Sequence, residues 1–132
     1  MMMLASASAG LAFPNAGLGA VHGLTAPIGG RLGAAHGQAN AALLPSVMDY
    51  NVEACLPQHA SIARAWDATA PAKEELAARH AIDLVRKMLI DLEIPTLAAL
   101  GVTEANVESL AKDSMGEFSN NNSNPAPLTE AV

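Results

Sequence analysis

Apolar and polar positions change their arrangement along this chain. Residues 1–13 carry Met, Leu, Ala and Ser with no charged position, so a helix there has no polar face and is expected to be buried on most sides. Pro14 disfavours helix at Phe13 and suits the first turn of a new one, which places a second helix over about 15–25. Gly17 and Gly19 fall inside it. Because a glycine costs about 1 kcal/mol relative to alanine in a helix interior, two so close imply that a backbone or a ligand approaches there. Residues 29–33, Gly-Gly-Arg-Leu-Gly, read as a loop. Residues 37–50 then form a third helix with Leu43, Leu44, Val47 and Met48 on its apolar side and Pro45 bending it.

The second half is patterned differently. A short helix is expected over 57–65, followed by a helix entry at 67–71. The clearest periodicity in the chain lies in 72–92, where Leu76, Ala77, Ala81, Leu84, Val85, Met88, Leu89 and Leu92 recur at three- and four-residue spacing. Charged residues fill the other face. Ile94-Pro95 ends that helix, and 97–101 is a short helical turn closing on Gly101. Thr103 is placed to cap a last helix over 104–115, with an acidic first turn that suits the helix dipole and Val107, Leu110 and Ala111 inside. Residues 119–125, rich in Asn and Ser, read as a loop.

Composition sharpens this picture in three respects. Half of the residues are hydrophobic but only 3% are aromatic, so the core must be assembled from Ala, Leu, Val, Ile and Met, as in close-packed helices. The expected fold is all-α, one helical domain over 1–132. A net charge of −6 excludes the basic stripe that a nucleic-acid binder needs, and a lone cysteine, Cys55, excludes a disulfide framework. A buried, inert thiol in a reducing, cytoplasmic setting is expected. The first charged residue is Arg31, yet residues 1–30 lack the basic start of a signal peptide, and their Gly, Ser, Asn and Pro interrupt any membrane span. Three methionines with no cap before them look like the interior of a longer helix, and the chain reads as a fragment.

Candidate chemistry centres on two of the four histidines. His22 and His36 stand fourteen residues apart, each followed by glycine, with Pro27, Gly29, Gly30 and Gly33 between them. Two helices meeting at such a turn would bring both imidazoles to one point. They would supply two donors to a first-row divalent metal, whereas sites of that kind take three or four protein ligands. No carboxylate stands in helical register with either histidine, which argues against a self-contained HExxH-type hydrolase. His59 and His80 read as surface or boundary residues. Gly17-Leu18-Gly19 has no preceding strand and is not a dinucleotide phosphate loop.

The run from Asn15 to Met48, NAGLGAVHGLTAPIGGRLGAAHGQANAALLPSVM, resembles the signature of the iron-containing (group III) alcohol dehydrogenases, a segment of the form NAGLGxVHGxxHPxGxxxxxPHGxxNAxLLPHVM. Asn15, Gly17, Gly19, Gly29, Asn40 and Leu43-Leu44-Pro45 fit it, and His22 and His36 fill the two positions that bind a catalytic divalent metal, iron or zinc. Three positions depart. Ala26 stands where the family often has a further histidine used near the nicotinamide and in proton relay, Ala35 replaces a proline, and Ser46 replaces a histidine. The resemblance implies the C-terminal helical domain of an NAD(P)-dependent enzyme that interconverts an alcohol with an aldehyde or ketone. It also implies that the remaining ligands, an Asp and a His, lie upstream beside a nucleotide-binding domain, and that residues 128–132 begin a final helix. Self-association into a homo-oligomer is expected, with no nucleic-acid or membrane partner. The alternative is a non-catalytic helical module derived from that domain.

Overall fold

The computed structural model describes residues 1–116 and 123–128. Among them the secondary structure is helical throughout. The helices are α1 (Met2–Ala16), α2 (Ala20–Leu32), α3 (His36–Tyr50), α4 (Leu56–Trp66), α5 (Glu74–Asp91) and α6 (Val107–Met115), with a single 3₁₀ turn, Val52–Ala54, between α3 and α4. The expected all-α class holds. The expected start of a final helix over 128–132 and most of the 119–125 loop lie outside the described residues.

The first boundary differs from expectation. α1 continues through Pro14, and the chain breaks at Gly17-Leu18-Gly19, where both glycines take left-handed φ angles of 79° and 76°. A single proline removes one N–H donor, which a helix survives with a bend. Two positive φ angles end a helix outright, and glycine is the residue that adopts them at little cost. Gly17 also has no room for a side chain, because a Cβ there would collide with Ser123.

The second difference concerns residues 29–33. They are not a loop: α2 runs through Gly29 and Gly30 to Leu32 and stops at Gly33, which is left-handed with φ 68°. Burial of Ile28, with Leu32 packed against the same cluster, outweighs the low helix propensity of the two glycines. The cluster joins Ile28 of α2, Ala39 and Leu43 of α3 and Leu110 of α6, with Leu97, Leu100 and Val102 from the α5–α6 connection against it. The 97–101 segment is a turn rather than helix, closing on Gly101 at φ 95°. Thr103 does not cap α6. Its N–H is itself bound by Asn106 Oδ1, and the helix begins only at Val107.

α4 and α5 pack through alanines. Ala60 and Ala63 face Ala77 and Ala81, all fully buried, and a second patch joins Val52, Ala78 and Ile82. The buried face of α5 is therefore narrower than its apolar pattern suggests, since Leu76 and Leu92 remain exposed. α1 departs furthest from expectation, because none of its residues is buried. Its apolar side chains stay exposed among the described residues.

Candidate metal centre

α2 carries His22 in its first turn, and α3 begins at His36. The two helices pack against each other, joined by the short connection that follows the left-handed Gly33, and their histidine-bearing N-terminal turns meet. The imidazoles end side by side, ring centroids 5.3 Å apart and planes inclined at 54°. His22 is half-buried and His36 exposed. Burial, and then the neighbouring His36, lowers the pKa of His22 from its ordinary value. Both effects favour the neutral ring, the form that donates a lone pair to a cation.

A polar layer supports His22 from behind. Thr25, one turn further along α2, is fully buried, and its Oγ1 lies 2.8 Å from the Val21 carbonyl oxygen and 2.7 Å from Asn40 Oδ1. Nδ2 of Asn40 is in turn 3.4 Å from Nε2 of His22. Asn40 sits one turn after His36 on α3, so a single amide reaches from one histidine's helix to the other histidine's ring. In the sequence Asn40 stands out only as a position that fits the family motif, and Thr25 does not stand out. The available signal was spacing: Thr25 is three residues after His22 and Asn40 four after His36, which puts each on the same helix face as its histidine.

The N-terminus of α2 is fixed from elsewhere in the chain. Asn124 Oδ1 accepts from the Ala20 N–H at 3.2 Å and from Asn51 Nδ2 at 3.0 Å, while Asn124 Nδ2 donates back to Asn51 Oδ1 at 2.8 Å. This clasp joins the end of α3 to the start of α2, and so anchors the turn that carries His22.

The other candidates lie apart from this centre. His59 is neither the surface nor the boundary residue expected: it is only 8% exposed, and its Nδ1 has no hydrogen-bond partner among the described residues. It lies on α4 beside Ala60 and Ala63, which are buried in the same helix. Burial lowers its pKa. His80 Nε2 lies 2.8 Å from Asp67 Oδ2, and Asp67 also accepts from the hydroxyl and backbone N–H of Thr69. Those bonds to Thr69, with His80 behind them, bring Asp67 down to about 2. His80 thus serves a turn after α4. Cys55 is half-buried and burial pushes its thiol up, which leaves it unreactive. Ala26 and Ser46, the departures from the family pattern, are both exposed. Among the described residues no group of three His, Cys, Asp or Glu side chains is placed to hold a metal ion.

Comparison with known proteins decides the lineage. The family described as Fe-containing alcohol dehydrogenase, C-terminal, matches residues 1–132. The chain belongs to the iron-containing alcohol dehydrogenase family. A long-chain-alcohol dehydrogenase of Geobacillus thermodenitrificans is 38% identical over 125 residues, covering 93% of this chain and 32% of that protein. A 1,3-propanediol dehydrogenase of Klebsiella pneumoniae is 40% identical over 113 residues, covering 84% and 29%. In three dimensions this iron-type alcohol dehydrogenase domain matches the crystal structure of a 1,3-propanediol oxidoreductase with a TM-score of 0.87 at 36% identity, covering 93% of this chain and 32% of that one. An alcohol dehydrogenase from Oenococcus oeni gives 0.85 at 31% identity, covering 92% and 32%. The chain spans about a third of the length of the relatives it matches. Among the described residues no helix is long and apolar enough to cross a membrane.

Proposed function

We propose that His22 and His36 are two ligands of a catalytic divalent metal, iron or zinc, in an NAD(P)-dependent alcohol dehydrogenase, and that a nucleotide-binding domain beside this one supplies the other ligands and the nicotinamide. The observation that carries the reading is the pair of imidazoles 5.3 Å apart at the α2–α3 hairpin. Two imidazole nitrogen donors from adjacent rings suit a borderline metal ion and make up part of its shell. Bound there, the metal would act as a Lewis acid on the alcohol oxygen while hydride passes to the nicotinamide.

The residues of this chain have a limited part in that chemistry. His22 and His36 orient the cation, and the neutral state favoured at His22 keeps its lone pair available. Ala26 offers no group able to carry a proton, so proton transfer must use another route than the family's relay histidine. Because His22 and His36 are only part of a metal shell and these residues carry no dinucleotide phosphate loop, the chain alone is expected to give no alcohol-dependent reduction of NAD or NADP.

The reading is tested by Zn²⁺ titration of the ¹⁵N-histidine-labelled chain, because ring resonances respond even to weak binding. His22 and His36 are expected to shift together and His59 and His80 to stay unchanged, with the response lost in His36→Ala. Shifts confined to His59 or His80, or a response that survives in both His22→Ala and His36→Ala, would overturn the assignment.

A further inference from the structure

We infer that Asn124 is a positioning residue for the metal centre: from the far end of the chain it supplies the cap that α2 lacks, and so holds the turn carrying His22 beside His36. The inference rests on the metal-ligand reading above. The first N–H groups of a helix have no partner within it, and Gly19, which precedes α2, has no side chain to serve them. Ala20, the first residue of α2, is only 3% exposed, and its N–H donates to Asn124 Oδ1 at 3.2 Å.

The Asn124 amide is fixed in place and in orientation. Its Oδ1 also accepts from Asn51 Nδ2 at 3.0 Å, and its Nδ2 donates to Asn51 Oδ1 at 2.8 Å and to the Ala126 carbonyl at 2.7 Å. The Ala126 N–H closes on Asn51 Oδ1 at 3.3 Å. Backbone groups cannot exchange donor for acceptor, so they decide which end of each amide is oxygen. Asn51 is itself buried and directly follows α3, whose first residue is His36. The first turn of α2 is therefore tied at Ala20 to one end of α3, while His22, two residues on, places its ring beside the residue that opens the other end. Slack in the clasp moves His22 against His36.

The same contacts account for the two glycines ahead of α2. A Cβ on Gly17 would collide with Ser123, and one on Gly19 would meet Asn124 Oδ1 at 3.4 Å. What approaches this turn so closely is residues 123 and 124 of the chain itself. Linkage then requires reciprocity: whatever factor docking of this segment adds to cation affinity, a bound cation adds to docking.

Zn²⁺ titration and amide exchange of the ¹⁵N-labelled chain measure both directions. Asn124→Ala is expected to weaken Zn²⁺ binding about 10-fold and to weaken the nuclear Overhauser contact between the His22 and His36 rings in the metal-free chain. Asn124→Ser, a milder truncation, serves where the alanine variant does not fold. Ala77→Leu strains the α4–α5 seam instead and should leave both readouts at wild-type values, which separates positioning from a loss of stability. In the wild type, saturating Zn²⁺ should slow exchange of the Ala20 N–H by about 10-fold, a measurement that needs no variant. Unchanged affinity and ring contact in a folded Asn124 variant, an equal loss in Ala77→Leu, or an Ala20 exchange rate indifferent to bound Zn²⁺ overturns the inference. The ring contact is read without metal, so a wild type that binds no Zn²⁺, yet loses that contact in the Asn124 variants, counts against the ligand assignment and leaves the role of Asn124 standing.

Discussion

The α2–α3 pair and the α4–α5 pair each join two consecutive helices rich in small residues, yet they are held together by opposite means. Between α4 and α5 the contact is apolar: Ala60, Ala63, Ala77 and Ala81 meet with no exposure, and the buried His59 of α4 has an Nδ1 with no partner among the described residues. Between α2 and α3 the contact includes Thr25 and Asn40 bonded to each other and reaching His22, with the Asn51–Asn124 pair closing the end. Alanine packing draws helices close but has no atoms with which to aim a side chain. Amide and hydroxyl groups hold the backbones less tightly and can orient a ring. The candidate chemistry therefore sits in the hairpin with the polar interior, while the alanine seam contributes rigidity.

The largest effect should come from breaking the seam. Ala77→Leu adds three heavy atoms at a position with no free surface, and overpacking of that kind costs about 1–3 kcal/mol. The polar hairpin should yield less to a comparable insult: Asn51→Ala removes the reciprocal amide pair and is expected to cost about 1–2 kcal/mol. Thermal unfolding of the two variants measures both. A seam that tolerates leucine without loss of stability would show that α4 and α5 are not closely packed, and the contrast between the hairpins would collapse.

The next effect depends on pH and concerns His59. Its folded pKa is lowered by burial from an ordinary value of 6.5, so below that value the unfolded chain binds a proton that the folded chain resists. The stabilisation is complete above pH 6.5 and is lost as pH falls below it toward the depressed folded pKa. The unfolding midpoint should drop between about pH 7.5 and about pH 5.5. His22, also lowered by burial, adds in the same direction. His59→Gln should flatten the slope and leave the His22 part. A slope identical in that variant would place the titration elsewhere.

Legibility in the sequence followed the same division. α3, α4 and α5 were readable to within two residues at each end because apolar spacing and flanking Pro or Gly residues act locally. The α1–α2 boundary was not, since Pro14 is the stronger local signal, whereas the real break depends on Gly17 fitting against Ser123, more than a hundred residues away. Helix through Gly29 and Gly30 was likewise hidden, because it is sustained by burial of Ile28 against α3 and α6. The pairing of His22 with His36 could be anticipated from spacing and from the family motif. Thr25 and Asn40 were written at helical spacing beside those histidines, but their bond to each other joins two helices and becomes visible only once the hairpin closes. The burial of His59 is hidden in the sequence because its neighbours, Pro57 and Gln58, look like a turn, whereas it lies on the buried side of α4.

The smallest effect on stability is expected at α1, and its consequence lies in association. Leu4 and Leu11 are 71% and 75% exposed and Met2 and Met3 more so, an apolar surface of the kind that marks an interaction face. At about 25 cal/mol per Å² of apolar area, covering several hundred Å² yields several kcal/mol, enough to draw copies of the chain together at micromolar concentration. Exchanging both leucines for glutamate, Leu4→Glu with Leu11→Glu, alters only exposed side chains, so the stability of the monomer should change by no more than about 0.5 kcal/mol. The same pair of substitutions should shift sedimentation from associated species toward a monomer. A wild-type chain that already sediments as a compact monomer, or a double variant that associates as strongly as before, would show that α1 is not the surface through which the chain associates.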